Sequence, residues 1–124
     1  MPYSIAWDSR LVRVDYSGEI ENSEIQDAHF DLNGDGRFYN CDFLILNISD
    51  CDLSKVSVPD LFLVIATDFG ATQTNSSLKV AMVTTNPINA AKAESYIERN
   101  QSIGTPWEFK LLPSIDAAMD WFSA

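Results

Sequence analysis

Apolar and polar residues alternate over residues 3–7, YSIAW, so that Tyr3, Ile5 and Trp7 share one side of an extended chain. The alternation resumes over residues 10–16, with Val12, Val14 and Tyr16 together and Arg13 and Asp15 opposite. Asp8-Ser9 lies between the two runs. The pattern predicts a β-hairpin at a sheet edge, covered on one side. After Gly18 the period lengthens, and Ile25, Ala28, His29 and Leu32 recur at helical spacing. This helix is expected to start at Asn22-Ser23, with Ser23 and Gln26 as a capping box and Glu24 in the first turn. Asn33-Gly34 is expected to stop it through a left-handed residue.

Two short runs, FLILNI at residues 43–48 and VAMV at residues 80–83, are almost continuously apolar. Strands buried on both faces read this way, and such strands are usually parallel and central. Between them Pro59 suits a first helical turn, Leu61, Val64, Ile65 and Asp68 to Phe69 follow at helical spacing, and Gly70 closes the segment. The polar stretch ATQTNSS is expected to be a loop. Asn86 as N-cap and Pro87 at the first position open a third helix, with Ala90, Ala93, Tyr96 and Ile97 inward. Trp107, Phe109 and Leu111 alternate with Glu108 and Lys110 as a strand nearer an edge. Ser114 then caps a last helix with Ile115, Ala118, Met119 and Phe122 inward. The order β-β-α-β-α-β-α-β-α predicts an α/β fold with about four helices, its mixed sheet mostly parallel behind an N-terminal β-hairpin.

The 124 residues, 46% hydrophobic and 21% charged, suit a single domain spanning residues 1–124. A net charge of −10 argues against nucleic acid and anionic membrane as partners, because phosphate binding needs a basic patch. It fits a cytoplasmic protein, or one whose partner has a basic surface. The first residues, MPYSIAWDSR, lack the basic region and apolar run of a signal peptide. The longest apolar run, LFLVIA at residues 61–66, falls far short of the ~20 residues of a membrane span, so no membrane insertion is expected. Cys41 and Cys51 bracket a strand-like run of roughly 33 Å, too far for a disulfide, and are expected to be free thiols in a reducing compartment. Two cysteines and the single His29 are too few for a zinc site.

One stretch raises a specific chemical question. DLNGDGRFYNCD, residues 31–42, opens like an EF-hand loop, with Asp31, Asn33 and Asp35 at its first, third and fifth positions, Gly36 at the sixth and Asp42 at the twelfth. The twelfth position calls for Glu, and the segment that follows reads as a strand, not the exiting helix an EF-hand needs. A helix-to-strand turn is therefore the expectation, with a weak Ca2+ site at Asp31, Asn33, Asp35 and Asp42 as the alternative. His29 is expected to be a packed histidine, and a general base is the alternative reading. Asp50, Asp52 and Asp60 read as loop solvation and helix N-terminal charge, against a carboxylate site. Cys51, between Asp50 and Asp52, is not expected to be a reactive thiol, since neighbouring carboxylates raise a thiol pKa. No P-loop, dinucleotide fingerprint or nucleophile elbow is present, so neither a cofactor nor a catalytic residue is assigned.

Three stretches in order, LNGDGRFYNCDFLILNISD, LKVAMVTTNP and PWEFKLLPSIDAAMDWF, resemble the SpoIIAA-like proteins and, more broadly, the STAS domains of bacterial anti-sigma-factor antagonists. The resemblance covers nearly the whole chain and rests mostly on core and turn residues. It implies a SpoIIAA-like fold and a non-enzymatic regulatory or protein-binding role. STAS antagonists carry a phosphorylatable serine in a D-S-S-G motif at the start of the helix after the third strand. Here Lys55 and Val56 stand at the Asp and first Ser, Ser57 at the second Ser, and Val58 at the Gly. The resemblance thus points to the segment holding Asp50, Asp52, Ser54 and Ser57 as a regulatory or binding region. The residues themselves read Ser54 and Ser57 as N-cap or turn serines. Two alternatives stand beside the regulatory reading. One is a carrier or sensor of a small apolar ligand such as a lipid, and the other is an enzyme using His29 or the loop at residues 50–57. An outward Phe62 would suit a homodimer.

Overall fold

The computed structural model describes residues 2–124. It contains β1 (Tyr3–Asp8), β2 (Leu11–Glu19), α1 (Asn22–Asn33), β3 (Phe43–Asp52), α2 (Phe62–Ala71), β4 (Lys79–Val83), α3 (Pro87–Ser102), β5 (Glu108–Leu112) and α4 (Ile115–Ser123), with short 3-10 helices at Gly36–Asn40 and Pro59–Leu61. The order agrees with the sequence pattern. The five strands lie side by side in the order β1-β2-β3-β4-β5. β1 pairs antiparallel with β2, and every later pair is parallel. Each parallel connection carries a helix, as a crossover of this length requires.

The three parallel crossovers put α1, α2 and α3 on one face of the sheet, while α4 packs on the other. On the first face Val12, Val14, Leu44, Leu46, Ile48, Val80 and Met82 form the floor of the larger core, roofed by Ala28, Leu32, Val64, Ile65, Ala93 and Tyr96. Phe38 and Trp107 meet there edge to face, with ring centres 5.9 Å apart. On the second face Ile45, Ala81 and Val83 pack with Ala118 and Phe122 of α4. β3 and β4 are apolar on both sides because both sides are covered.

Several local expectations shift. α1 is capped from Glu21, two residues earlier than Ser23, and the Glu21 N–H donates to Glu24 Oε1 at 2.9 Å. Gly34 ends α1 in a right-handed conformation, because a 3-10 turn follows directly. The left-handed residues are instead Gly18, Gly104 and Ser9, the last at the hairpin corner with φ +56°. α2 runs one residue beyond Gly70. β3 continues to Asp52, since β2 also extends and pairs Ser17 to Glu19 with Asp50 to Asp52 across a register shift. Met119, expected inward, is exposed. The polar loop after α2 hides one structural residue, the buried Asn75, whose amide donates to the carbonyls of Phe38 and Cys41 at 3.0 and 2.6 Å. Among the described residues no helix is long and apolar enough to cross a membrane.

Candidate functional site

The segment after β3 is where the resemblance directs attention, and its backbone is tied down at each step. Asp52 Oδ1 accepts the Ser54 N–H at 2.8 Å, and the hydrogen bonds from Ser54, hydroxyl before backbone, hold the Asp52 carboxyl below the usual carboxylate range. Lys55 pairs with Glu19, and the Lys92 ammonium of α3 donates to the Val56 carbonyl. Asn22 of α1 clamps Ser57 by both backbone groups, donating to its carbonyl at 2.9 Å and accepting its N–H at 3.1 Å. Val58 takes the N-cap position of the following 3-10 turn, so neither Ser54 nor Ser57 is the cap that their residue type suggests. Asp50 and Asp52 lie in the extension of β3 and are exposed, with the buried Cys51 between them.

α2 has an inverted polarity. Its outward positions, Phe62, Leu63, Ala66, Phe69 and Gly70, are all exposed and all uncharged. The one charged residue of the helix, Asp68, is 2% exposed and faces the core. Three side chains converge on it. His29 Nδ1 of α1 lies 2.8 Å from Oδ1, Asn33 Nδ2 donates to Oδ1 at 3.2 Å, and the Tyr96 hydroxyl of α3 donates to Oδ2. A carboxylate only accepts, so the histidine contact places the proton on Nδ1. Asn33 leaves its Oδ1 buried without a partner among the described residues. Burial first and the Asp68 carboxyl second push the Tyr96 phenol well above its ordinary range, and burial does the same for Tyr16 nearby. The network ties α1, α2 and α3 together through a single carboxyl. His29 is thus the packed histidine expected from its spacing, with a partner the sequence did not indicate.

A cavity of about 40 Å³ lies beside this network, lined by Tyr16, His29, Leu46, Ile48, Met82 and Tyr96 among others. Pockets for drug-sized ligands run to roughly 300–1,000 Å³. A lipid chain would have to displace core side chains to enter. Two larger recesses lie at the surface. A groove of about 430 Å³ runs between α2 and α3, lined by Pro59, Phe62, Ile65, Phe69, Arg99 and Ile103 among others. A second, of about 520 Å³, lies between residues 54–59 and the α3 residues Ala91, Lys92 and Ser95. Val58 and Pro59 line both and form the wall between them, while Ser54 and Ser57 line only the second.

The remaining candidates disperse. Asp31 accepts from the Tyr3 hydroxyl, Asn33 turns to Asp68, Asp35 pairs with Arg37 at 2.8 Å and Asp42 pairs with Arg10. The three carboxylates of the would-be calcium loop each have their own partner, Asn33 Oδ1 has none, and among the described residues no His, Cys, Asp and Glu side chains gather in threes for a metal. The stretch is a 3-10 turn joining α1 to β3. Cys41 and Cys51 are buried free thiols. The Cys51 thiol is pushed up to about 11, chiefly by burial and then by Asp52 and Asp50, so burial outweighs the neighbouring charges.

Sequence reading placed Asp68 and Tyr96 on inward faces and Phe62 outward, but it missed the bond between Asp68 and Tyr96, the rest of the outward face of α2, and the buried Asn89. Asp68 had a signal, because it falls at helical spacing from Leu61, Val64 and Ile65. Its partners His29 and Tyr96 are 39 and 28 residues away, and no local pattern joins them.

This arrangement, a hairpin leading into a parallel sheet with three helices on one face and one on the other, is a SpoIIAA-like fold. The structure is similar to the crystal structure of an uncharacterised protein from the DUF3478 family with a SpoIIAA-like fold, from Shewanella loihica PV-4. The two share 14% sequence identity over 96% of this chain and 90% of that one, with a TM-score of 0.55. No family model and no curated protein matches the sequence.

Proposed function

We propose that this chain is a non-enzymatic regulatory or protein-binding module that receives its partner on the α2 face, beside the segment carrying Ser54 and Ser57. The inverted polarity of α2 carries the reading. A solvent-facing helix surface normally bears the charge and the buried surface none. Here the charge is inside and Phe62, Leu63 and Phe69 are outside, in a chain of net charge −10. Contiguous apolar surface beside a groove marks interaction sites. The Asp68 network supports the reading from beneath, since it holds the two helices that wall the groove. Ser57 lines the neighbouring groove and immediately precedes Val58 and Pro59, which border both, so an added charge there would change the electrostatics of docking.

The test is a photo-crosslinking residue placed at position 62 in living cells, with the same residue at position 119 as control. Met119 is also exposed and apolar but belongs to α4 on the opposite face. A discrete protein adduct from position 62 and none from position 119 is the expected result. Equal or absent crosslinking at the two positions would sink the reading.

A further inference from the structure

We infer that the occupant of the α2 face is a second copy of this chain, with the two α2 helices packed across a twofold axis. The inference rests on the docking reading above and names its partner.

Charge is the first argument. Copies carrying −10 each repel one another. Contact is least costly where a surface holds no carboxylate. The outward positions of α2 meet that condition, while the exposed side of α1 carries Glu21, Asp27 and Asp31. The rim of the α2 patch holds one charge of each sign, Asp60 in the turn before the helix and Arg99 in the groove. A twofold axis can set these two against each other.

Shape is the second. An isologous contact needs both a projection and a recess on one surface. Phe62 and Leu63 project, at 71% and 59% exposure. The 430 Å³ groove beside them is the recess, with Ile65 and Ala66 in its lining. Gly70 adds to this. Its φ is not positive, and a Cβ built there meets nothing within 4 Å. The fold of one copy therefore does not require glycine, although glycine within a helix costs roughly 0.5–1 kcal/mol relative to alanine. Together with Ala66 one turn earlier, it leaves the helix surface low enough for a second helix to approach closely.

Area is the third. Phe62, Leu63, Phe69 and Ile103, at 71, 59, 41 and 49% exposure, offer on the order of 400 Å² of side-chain surface. A standard interface buries about 800 Å² per partner. With Pro59, Arg99 and Ser102 at the rim, the patch suits a dimer that dissociates at micromolar rather than nanomolar concentration.

Sedimentation velocity of the full chain, from micromolar to millimolar concentration, tests the inference. The weight-average mass should rise from 13.8 kDa toward twice that value. Raising the salt should tighten the association, because it screens repulsion between like-charged copies; an attraction between opposite charges would weaken instead. Phe62→Glu and Gly70→Leu should each weaken the dimer at least tenfold with the far-UV circular dichroism unchanged, and Met119→Glu should leave it intact. A monomer at every concentration in high salt overturns the inference, as does a dimer indifferent to Phe62→Glu. The two readings fail separately. A crosslink from position 62 to a different protein, with the chain monomeric, sinks the second copy and leaves the docking face standing. No crosslink from position 62 sinks both.

Discussion

Removing one hydroxyl group probes the way the three helices are joined. Tyr96 is buried, and its phenol donates to the carboxyl of Asp68, itself 2% exposed. Tyr96→Phe keeps the ring and its edge-to-face contact with Phe109 while leaving Asp68 Oδ2 short of a donor. A hydrogen bond to a charged group contributes about 1.5–3 kcal/mol, so the loss should be about 2 kcal/mol. For a chain of 124 residues that lowers Tm by roughly 6–10 °C. Asp68→Ala orphans His29, Asn33 and Tyr96 together and should cost about 3–5 kcal/mol. Urea unfolding followed by circular dichroism measures both. The decisive number is the coupling. In the Asp68→Ala background Tyr96→Phe should cost less than about 0.5 kcal/mol, because its partner has already gone. If the two losses instead add to within about 0.3 kcal/mol, the phenol and the carboxyl act independently and the staple reading is refuted.

Asn89 is an independent latch, since its buried amide donates to the carbonyls of Ile48 and Cys51 at 2.9 Å each and accepts the Leu53 N–H at 3.2 Å. Asn89→Ala should cost about 3 kcal/mol and make the Leu53 amide exchange early, whereas a loss under about 1 kcal/mol would mean the strand end holds without it. In a Cys41→Ala chain, Cys51 should be alkylated at mildly alkaline pH roughly 100-fold more slowly when folded than when unfolded in urea, because its thiol is pushed up to about 11. The folded pKa lies above the unfolded one, so this group's contribution to stability is complete below about 8.5 and is lost as pH rises through about 11; equal alkylation rates would contradict the burial argument. Asp35, held down to about 2 by the Arg37 side chain first and its backbone N–H second, should titrate there by NMR and rise toward, but stay below, about 3.9 in Arg37→Ala, which keeps the N–H. Its contribution is present above about 4 and lost as pH falls through about 2, and an unshifted midpoint would show the exposed pair does not persist in solution.

The order of strands and helices was legible because each element carries its own period. Val12, Val14 and Tyr16 alternate as a half-covered strand does, and residues 43–48 are apolar on both sides because α4 covers the face that α1 to α3 do not. Element ends were less legible. β3 reaches Asp52 only because β2 lies alongside to pair with it, and neither segment alone reports that pairing. Gly34 and the Ser23 cap failed for a related reason, since a following 3-10 turn or an earlier glutamate can satisfy the same backbone groups as well. Side-chain direction was equally illegible in the stretch at residues 31–42. Its residue types suit a cation, but their side chains point to Tyr3, Asp68, Arg37 and Arg10.

The sequence by itself determined the class of fold and the buried central strands, because periodicity and turn chemistry act over a few residues. Only the tertiary structure decided what α2 is. The run at residues 62–71 is apolar on both faces, and period alone does not say which apolar face looks outward. That choice was made by His29, Asn33 and Tyr96, which converge from two other helices and draw Asp68 inward. With the carboxyl fixed in the core, helical geometry leaves Phe62, Leu63 and Phe69 facing solvent.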